Sequence, residues 1–239
     1  MLATAIPVQK LPDTSSLTYA EFDEPFVDIA EFSNGRIIVD MKYYTAGRNG
    51  AINKAYLRLS VAEMLMRALD RLPFGYRFKI YDAWRPHEVQ LSLFDEYLAS
   101  IRDLPENSGK SDSELYEMAK RFVSLPDRSK RFAYVHSSGG AVDITLTDDA
   151  GVELDMGCAF DDFSPLAATA AFESEECQAR DNRRILYNAM LNVGFTNYPS
   201  EWWHYDFGDL FWGATTQEDV RYPSVYSIDD VLSKLLVTV

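Results

Sequence analysis

The sequence predicts an α+β protein in which a central antiparallel or mixed sheet is flanked by helices. Stretches with the apolar spacing of a helix alternate with stretches that have the two-residue period of a strand, without the regular βαβ rhythm of a parallel sheet. With 239 residues, 47% of them hydrophobic, the chain is long enough to bury a large core. We predict a single domain over residues 1–239.

Several helices are predicted from apolar residues spaced three and four apart. One covers residues 60–72, "SVAEMLMRALDRL", and Ser60 with Glu63 has the spacing of a capping box at its start. The next has Pro86 at its first position, and a third runs from 180 to 193 with Gly194 as its C-terminal cap. Residues 105–114 read as a loop, followed by a short helix whose apolar side is Leu115, Met118, Ala119, Phe122 and Val123.

Two strands are predicted from alternation of apolar and polar residues. In residues 76–81 the alternation favours a half-buried strand, and Arg85 then lies at a strand-to-helix junction. In "AVDITLT", residues 141–147, the larger apolar side chains face one way, and Asp143 is presented on the other side of the strand.

Composition excludes several kinds of partner. The formal net charge is −14, which argues against a broad phosphate-binding surface and hence against nucleic acid. No apolar run approaches the roughly 20 residues of a membrane span, and the amino terminus lacks the pattern of a secretory signal. Cys158 and Cys177 have neither disulfide-framework nor zinc-site spacing, so free thiols and a cytoplasmic location are expected.

Chemistry-bearing residues cluster around two of the three histidines. His136 precedes Asp143 by seven residues, with Gly139 and Gly140 between them to permit a tight turn. If His204 arrives from a neighbouring strand, two imidazoles and one carboxylate converge. That set suits zinc with a fourth position open for water, the pattern of catalytic zinc sites. Taken singly, each of these residues has a simpler interpretation as a hydrogen-bonded or capping residue.

The second motif, "EWWH", places Glu201 three residues before His204. An isolated carboxylate and imidazole at this spacing are usually a partly buried hydrogen-bonded pair. Combined with the first motif, however, Glu201 is the general base that such a zinc site needs. Pro199 favours a turn that leads into a strand, so Glu201 is expected to project from the turn, with Trp202 and Trp203 walling the site. His87 has no such neighbours and is predicted to be a surface residue at a helix start.

These motifs, "HSSGGAVD" and "EWWH" with "DAWRP" upstream, resemble those of the D-alanyl-D-alanine dipeptidase family, the VanX-type zinc dipeptidases. The resemblance covers roughly residues 40–210 and implies the fold shared with zinc D,D-carboxypeptidases and the Hedgehog amino-terminal domain. The family's first motif is S-x-H-x-x-G-x-A-x-D. This chain departs from it where Tyr134 replaces the serine, a position expected to contact the substrate.

The resemblance also implies a role for each matching residue. His136, Asp143 and His204 would bind one zinc ion per chain, and Glu201 would be the catalytic base. Arg85 would stabilise the oxyanion of the tetrahedral intermediate, for which a permanently charged guanidinium is well suited. In "MGCAFD", which matches the family's M-G-x-x-F-D segment, Asp161 would receive the free ammonium of the dipeptide.

The predicted function is zinc-dependent hydrolysis of D-alanyl-D-alanine or a similar free dipeptide in the cytoplasm. One alternative is a D,D- or L,D-carboxypeptidase acting on longer cell-wall peptides, which would need an open groove and usually export. Another is a binding protein that keeps the zinc fold without turnover. The retained Glu201 argues against the second alternative, because a purely structural site has no use for an unliganded carboxylate.

Overall fold

In the part of the chain that the structure describes, the main sheet contains five strands of unequal length. The structure is a computed structural model that describes residues 4–120, 123–162 and 164–236. The strands of this sheet are β2 (Ile38–Val39), β4 (Tyr76–Asp82), β5 (Ala141–Asp148), β6 (Thr196–Asn197) and β7 (His204–Asp206). Their order is β2-β4-β5-β7-β6, with β2 parallel to β4 and the other neighbours antiparallel. A second sheet pairs β1 (Phe26–Asp28) with β3 (Tyr56–Arg58).

Helices flank the main sheet, so the predicted α+β class with a mixed sheet is confirmed. The helices are α1 (Ile29–Phe32), α2 (Lys42–Thr45), α3 (Leu59–Leu69), α4 (His87–Arg102), α5 (Asp112–Ala119), α6 (Gln178–Leu191), α7 (Leu210–Thr216) and α8 (Ile228–Ser233). Apolar faces of α3 and α6 pack with the sheet in the main core, and α4 with α5 forms a smaller cluster. That the chain forms one domain over 1–239 stays a prediction.

The predicted helix 60–72 is found as α3, but its capping box is wrong. The helix begins at Leu59, so Ser60 already lies in its first turn. The backbone N–H and the hydroxyl of Ser60 both donate to the carboxylate of Glu24, at 3.0 and 2.5 Å. The carboxylate that satisfies this helix start therefore comes from a distant part of the chain, which local spacing does not reveal.

Two other helix boundaries shift by one or two residues. Pro86 is the residue before α4 and not its first position. The third predicted helix, 180–193, is found as α6 at Gln178–Leu191 with Asn192 as its cap. Gly194 follows with φ of 108°, so the glycine lies in the turn beyond the cap.

The predicted loop 105–114 is too long. Residues 105–107 form a short 3-10 helix, and α5 already begins at Asp112. Ser111 and Glu114 form a true capping box at that start, a signal present in the sequence. On the predicted apolar side of this helix, Leu115 and Ala119 are buried, whereas Phe122 lies outside the described residues.

Strand β5, the middle strand of the main sheet, is buried on both faces. Val142 and Ile144 on one face have no exposed surface, and Asp143 and Thr145 on the other are 2% and 1% exposed. Burying a carboxylate is costly unless cations or hydrogen-bond donors surround it. Asp143 therefore needs partners, and they identify the site.

Two further expectations from the sequence concern membrane-spanning helices and the state of the two cysteines. Within residues 4–120, 123–162 and 164–236, no helix is long and apolar enough to cross a membrane. Cys158 and Cys177 are both unpaired, as the sequence predicts.

Candidate metal centre and active site

The strand register brings three ionisable residues side by side. On β5, Asp143 is the Cα partner of Asp82 on β4 and of His204 on β7. The pairing of β4 with β5 is irregular between Ile80 and Asp82. Two antiparallel neighbours thus bring a carboxylate and an imidazole next to Asp143, and the prediction that His204 arrives from a neighbouring strand is confirmed.

His136 reaches the same point from a tight turn before β5. It lies in a 3-10 helix, Val135–Ser138, that ends at Gly139 with φ of 75°. A Cβ at Gly139 would lie 2.3 Å from the ring of Phe26, so only glycine fits this turn. Nδ1 of His136 lies 2.8 Å from the carbonyl oxygen of Ala83 and therefore carries the proton. Nε2 is left with its lone pair, the form that binds metals.

Ligand atoms of His136, Asp143 and His204 converge. The three residues are buried, and one ligand atom from each lies within 4.8 Å of the others. Nε2 of His136 is 3.3 Å from Nδ1 of His204 and 3.4 Å from Oδ2 of Asp143, and Nδ1 of His204 is 2.9 Å from Oδ1 of Asp143. Tetrahedral zinc with bonds of about 2.0–2.1 Å separates its ligands by about 3.3 Å. The distances to Asp143 end on two different oxygens of its carboxylate, so the donor set fits zinc in chemistry and only approximates this spacing.

The orientation of His204 is fixed by a carboxylate behind it. Nε2 lies 2.7 Å from Oδ1 of Asp206, so Nδ1 faces the ligand group. Burial disfavours the imidazolium, but Asp206 and Asp143 outweigh burial and raise the pKa of His204 well above its ordinary value. Burial and the Asp206 charge also raise the pKa of Asp209 well above its usual range. A protonated Asp209 can donate to Asp206.

Asp143 itself stays ionised. Burial opposes its charge, but the imidazoles of His136 and His204 outweigh burial and hold the pKa of Asp143 below its usual value. Nη2 of the Arg85 guanidinium is a further favourable partner at 3.4 Å. An anionic oxygen is thus available to a metal at any physiological pH.

Glu201 lies beside the three candidate ligands and not among them. As predicted, it projects from the turn before β7, and its Oε2 is 3.9 Å from Nδ1 of His204. Burial, with the charge of Asp143 adding to it, raises the pKa of Glu201 to about 7. A carboxyl group with this pKa can accept and release a proton near neutrality. Trp203 walls the same cavity, whereas Trp202 lines a neighbouring one.

Arg85 occupies the predicted strand-to-helix junction and is 8% exposed. Its Nε donates to Oδ2 of Asp82 at 2.6 Å, and Nη1 donates to Oε1 of Gln90 at 2.7 Å. The guanidinium carbon lies 4.9 Å from the ring centre of Tyr43. The cation is therefore held within the site and lines the cavity, unlike the surface ion pair that an isolated arginine would suggest.

Asp161 also contacts Tyr43. The Tyr43 hydroxyl donates to Oδ2 of Asp161 at 3.1 Å. Burial, with the charge of Asp143 adding to it, raises the pKa of Asp161 to about 6. Its backbone has φ of 58°, which is uncommon outside glycine, asparagine and aspartate. Two carboxyls with raised pKa values, Glu201 and Asp161, therefore face a cavity that favours added positive charge.

Tyr134 and His87 differ in their position relative to the cavity. Tyr134 is buried and lines the cavity, but its hydroxyl donates to the carbonyl oxygen of Arg85 at 3.0 Å. A role for Tyr134 in substrate contact stays a prediction. His87 is the first residue of α4, is partly buried and packs edge-on against Tyr226, outside the cavity.

These side chains line a cavity of about 720 Å³. Its lining includes all seven residues predicted for the site: Arg85, Tyr134, His136, Asp143, Asp161, Glu201 and His204. A ligand in this volume can meet the candidate metal ligands, a guanidinium and two further carboxyls at once. The cavity is of the size that small-molecule sites usually have.

Four supporting residues were missed at the sequence level: Tyr43, Asp82, Gln90 and Asp206. Asp206 could have been found, because it lies two residues after His204 and so on the same face of a strand. Asp82, three residues before Arg85, carried a weaker signal. Tyr43 and Gln90 reach the site through tertiary packing, and nothing in their local sequence distinguishes them.

The fold and this cavity define an α+β enzyme with a candidate metal centre. A family model described as D-Ala-D-Ala dipeptidase matches residues 37–225, and the chain belongs to that family. The D-alanyl-D-alanine dipeptidase of Synechocystis is 30% identical over 185 residues, 70% of this chain and 74% of that protein. The Enterococcus faecium enzyme of the same name is 31% identical, covering 66% and 76%. The resemblance stated from the motifs is confirmed, and with it the prediction of a peptidase.

Other similarities cover less of the chain or are weaker. The Escherichia coli D-alanyl-D-alanine dipeptidase is 40% identical over 133 residues, 55% of each chain. A solved structure of the vancomycin resistance D,D-pentapeptidase VanY in complex with Zn(II) covers 70% of this chain and 80% of its own, at 20% identity and a TM-score of 0.42. The roles of individual residues therefore rest on the geometry of this site.

Proposed function

We propose that this protein uses one zinc ion per chain to hydrolyse D-alanyl-D-alanine or a similar free dipeptide. The convergence of His136, Asp143 and His204 carries the proposal, because two imidazoles and a carboxylate bring ligand atoms close to the separations that tetrahedral zinc requires. Three protein ligands leave a fourth position open, which is typical of catalytic zinc. Membership of a dipeptidase family supports the same chemistry.

Zinc, when bound, supplies a Lewis acid that polarises a carbonyl group and lowers the pKa of water to about 7. Glu201 takes the proton of the attacking water and delivers it to the leaving amine. A carboxyl group whose burial raises its pKa to about 7 suits both halves of this transfer. Trp203 walls the cavity on this side and limits water, which strengthens charge interactions.

Arg85 stabilises the negative charge that develops on the attacked carbonyl oxygen. The guanidinium is buried, permanently charged and already held by acceptors on two sides, so it needs little reorganisation as the charge appears. Its position next to Asp143 keeps it beside the candidate ligand group.

Asp161 receives the free ammonium of the substrate. Its raised pKa reflects the cost of an ionised carboxylate in this cavity, and an ammonium partner would offset that cost. An acylated amino terminus brings bulk without charge. We therefore propose selectivity for free dipeptides over amino-blocked or longer peptides.

The deciding experiment is a panel of D,D-, L,D- and L,L-dipeptides, free and N-acetylated, incubated with the zinc-loaded protein. Rapid hydrolysis of free D-alanyl-D-alanine, with N-acetylated peptides slower by roughly tenfold to a hundredfold, is expected. Equal hydrolysis of both forms would favour a carboxypeptidase acting on cell-wall peptides. Absence of turnover with every peptide would favour a zinc-binding protein without catalysis.

A cytoplasmic location is the companion proposal. The unpaired Cys158 and Cys177 fit a reducing compartment. Fractionation of cells that produce the full chain tests it, and recovery outside the cytoplasm would contradict it.

A further inference from the structure

The guanidinium of Arg85 has three acceptors, one on each of its nitrogens. Nε donates to Asp82 at 2.6 Å, Nη1 to Gln90 at 2.7 Å, and Nη2 is 3.4 Å from Asp143. All three acceptor residues are at most 3% exposed. Because a guanidinium is planar, acceptors on three nitrogens fix both its position and its rotation.

The three acceptors leave some N–H groups of the Arg85 guanidinium without a hydrogen bond in the described part of the chain. A guanidinium carries five N–H groups, of which these acceptors engage three. Among the residues that the structure describes, one N–H on each terminal nitrogen therefore remains for an oxygen in the cavity that Arg85 lines. Bonds to the terminal nitrogens decide where the remaining two N–H groups point.

Gln90 differs from the other two acceptors because it is neutral and has a second partner. Its Nε2 donates to the carbonyl oxygen of Ser124 at 2.8 Å, so its Oε1 must face Arg85. A flipped amide would set an NH₂ group against the guanidinium and an oxygen against a carbonyl, leaving both hydrogen bonds unmade. Ser124 thereby fixes the amide, and the amide fixes the guanidinium.

We propose that Gln90 is a positioning residue that acts on the reaction through Arg85. It holds Nη1 so that the remaining N–H groups of the fork meet the carbonyl oxygen as charge develops on it. A carboxylate at this position would add a third negative charge beside Asp82 and Asp143 and weaken that stabilisation, whereas the amide orients without adding charge. The inference rests on the proposed function of Arg85 in peptide hydrolysis.

A double-mutant cycle tests the inference. Gln90→Met keeps the length of the side chain but removes both hydrogen bonds, so kcat is expected to fall about tenfold to a hundredfold, with KM and zinc content little changed. In an Arg85→Ala background the same substitution should have almost no further effect, because the residue through which it acts is gone. Affinity for a phosphinate dipeptide, which mimics the tetrahedral oxyanion, should fall in parallel with kcat.

Asn107→Leu is the matched control. Asn107 is a buried amide that donates to the carbonyl oxygen of Ile101 near the end of α4, away from Arg85. It should lower the unfolding temperature without lowering kcat. If Gln90→Met lowers kcat equally with and without Arg85, Gln90 has only a structural role and the inference is overturned. Absence of turnover by the wild type would instead overturn the proposed function, and phosphinate affinity then decides the Gln90–Arg85 coupling separately.

Discussion

His204 lies directly opposite Asp143 on neighbouring antiparallel strands, and its Nδ1 is 2.9 Å from Oδ1 of that carboxylate. This relationship depends on strand register. A slip of one residue would turn the side chains of the slipped strand to the other face of the sheet. The buried apolar residues that alternate with Asp143 on β5 hold the register and so hold the two candidate ligands together.

The first prediction concerns metal binding. The wild type should retain about one zinc per chain after dialysis against a weak chelator, and His204→Ala should lose most of it, because two protein ligands hold zinc far less well than three. His87→Ala is the control, since His87 lies outside the cavity. Metal analysis measures the zinc content of each protein, and circular dichroism checks that the variants are folded. Undiminished zinc in a folded His204→Ala protein would show that the ligand assignment is wrong.

Glu201 should be needed for turnover and not for the metal. Glu201→Gln keeps the shape of the side chain but cannot take a proton, so kcat should fall by about 10²- to 10⁴-fold with zinc retained. Steady-state kinetics and metal analysis on the same preparation separate the two effects. A near-normal kcat would show that Glu201 is not the general base and is only a hydrogen-bonded residue of the turn.

Zinc binding should release protons at low pH. In the metal-free protein burial raises the pKa of Glu201 to about 7, and the pKa of His204 is raised by Asp206 and Asp143 against the effect of burial. At pH 6 both groups are therefore mostly protonated, and a nearby cation lowers both pKa values. Zinc affinity should rise with pH, and calorimetry in buffers of different ionisation enthalpy should show proton release. Glu201→Gln should release fewer protons at pH 6, and equal release would contradict the raised pKa of Glu201.

The candidate ligands could be predicted from sequence because they are tied to local signals. Gly139 allows the turn that carries His136, and alternation along β5 orients Asp143. The supporting residues were harder to predict from sequence. Gln90 contacts Arg85, and Tyr43 contacts Asp161, only after the helices pack against the rest of the chain. The same limit explains the wrong capping box at Ser60, where a distant carboxylate replaced the local partner. Periodicity reports which face is buried, but not which distant segment covers it.

Asp206 should tune the metal affinity without touching the metal. Its Oδ1 accepts from Nε2 of His204 at 2.7 Å, which fixes the ring and increases the basicity of Nδ1. Asp206→Asn keeps the size of the side chain but removes its charge, so zinc affinity should fall by about tenfold to a hundredfold. Competition with a fluorescent chelator measures the change. Unaltered affinity would show that the backbone alone orients His204.

Asp161 should favour substrates that have a free ammonium group, at a cost in the stability of the metal-free protein. Asp161→Asn is the suitable variant, because asparagine tolerates the positive φ that alanine does not. The variant should hydrolyse free D-alanyl-D-alanine more slowly, while its activity on N-acetylated peptide changes little. The difference between the two substrates should therefore narrow.

The same variant should make the metal-free protein more stable at pH 7. Burial and Asp143 raise the pKa of Asp161 from 3.8 to about 6, so the folded protein binds a proton more tightly there than the unfolded chain does. Stability from this group is present below pH 4 and is lost as pH rises towards 6, leaving a penalty of about 1–3 kcal/mol at pH 7. Asp161→Asn removes the penalty, and its advantage over the wild type should shrink as pH falls from 6 to 4. Denaturant unfolding at several pH values measures this difference, and a variant no more stable than the wild type at pH 7 would contradict the raised pKa of Asp161.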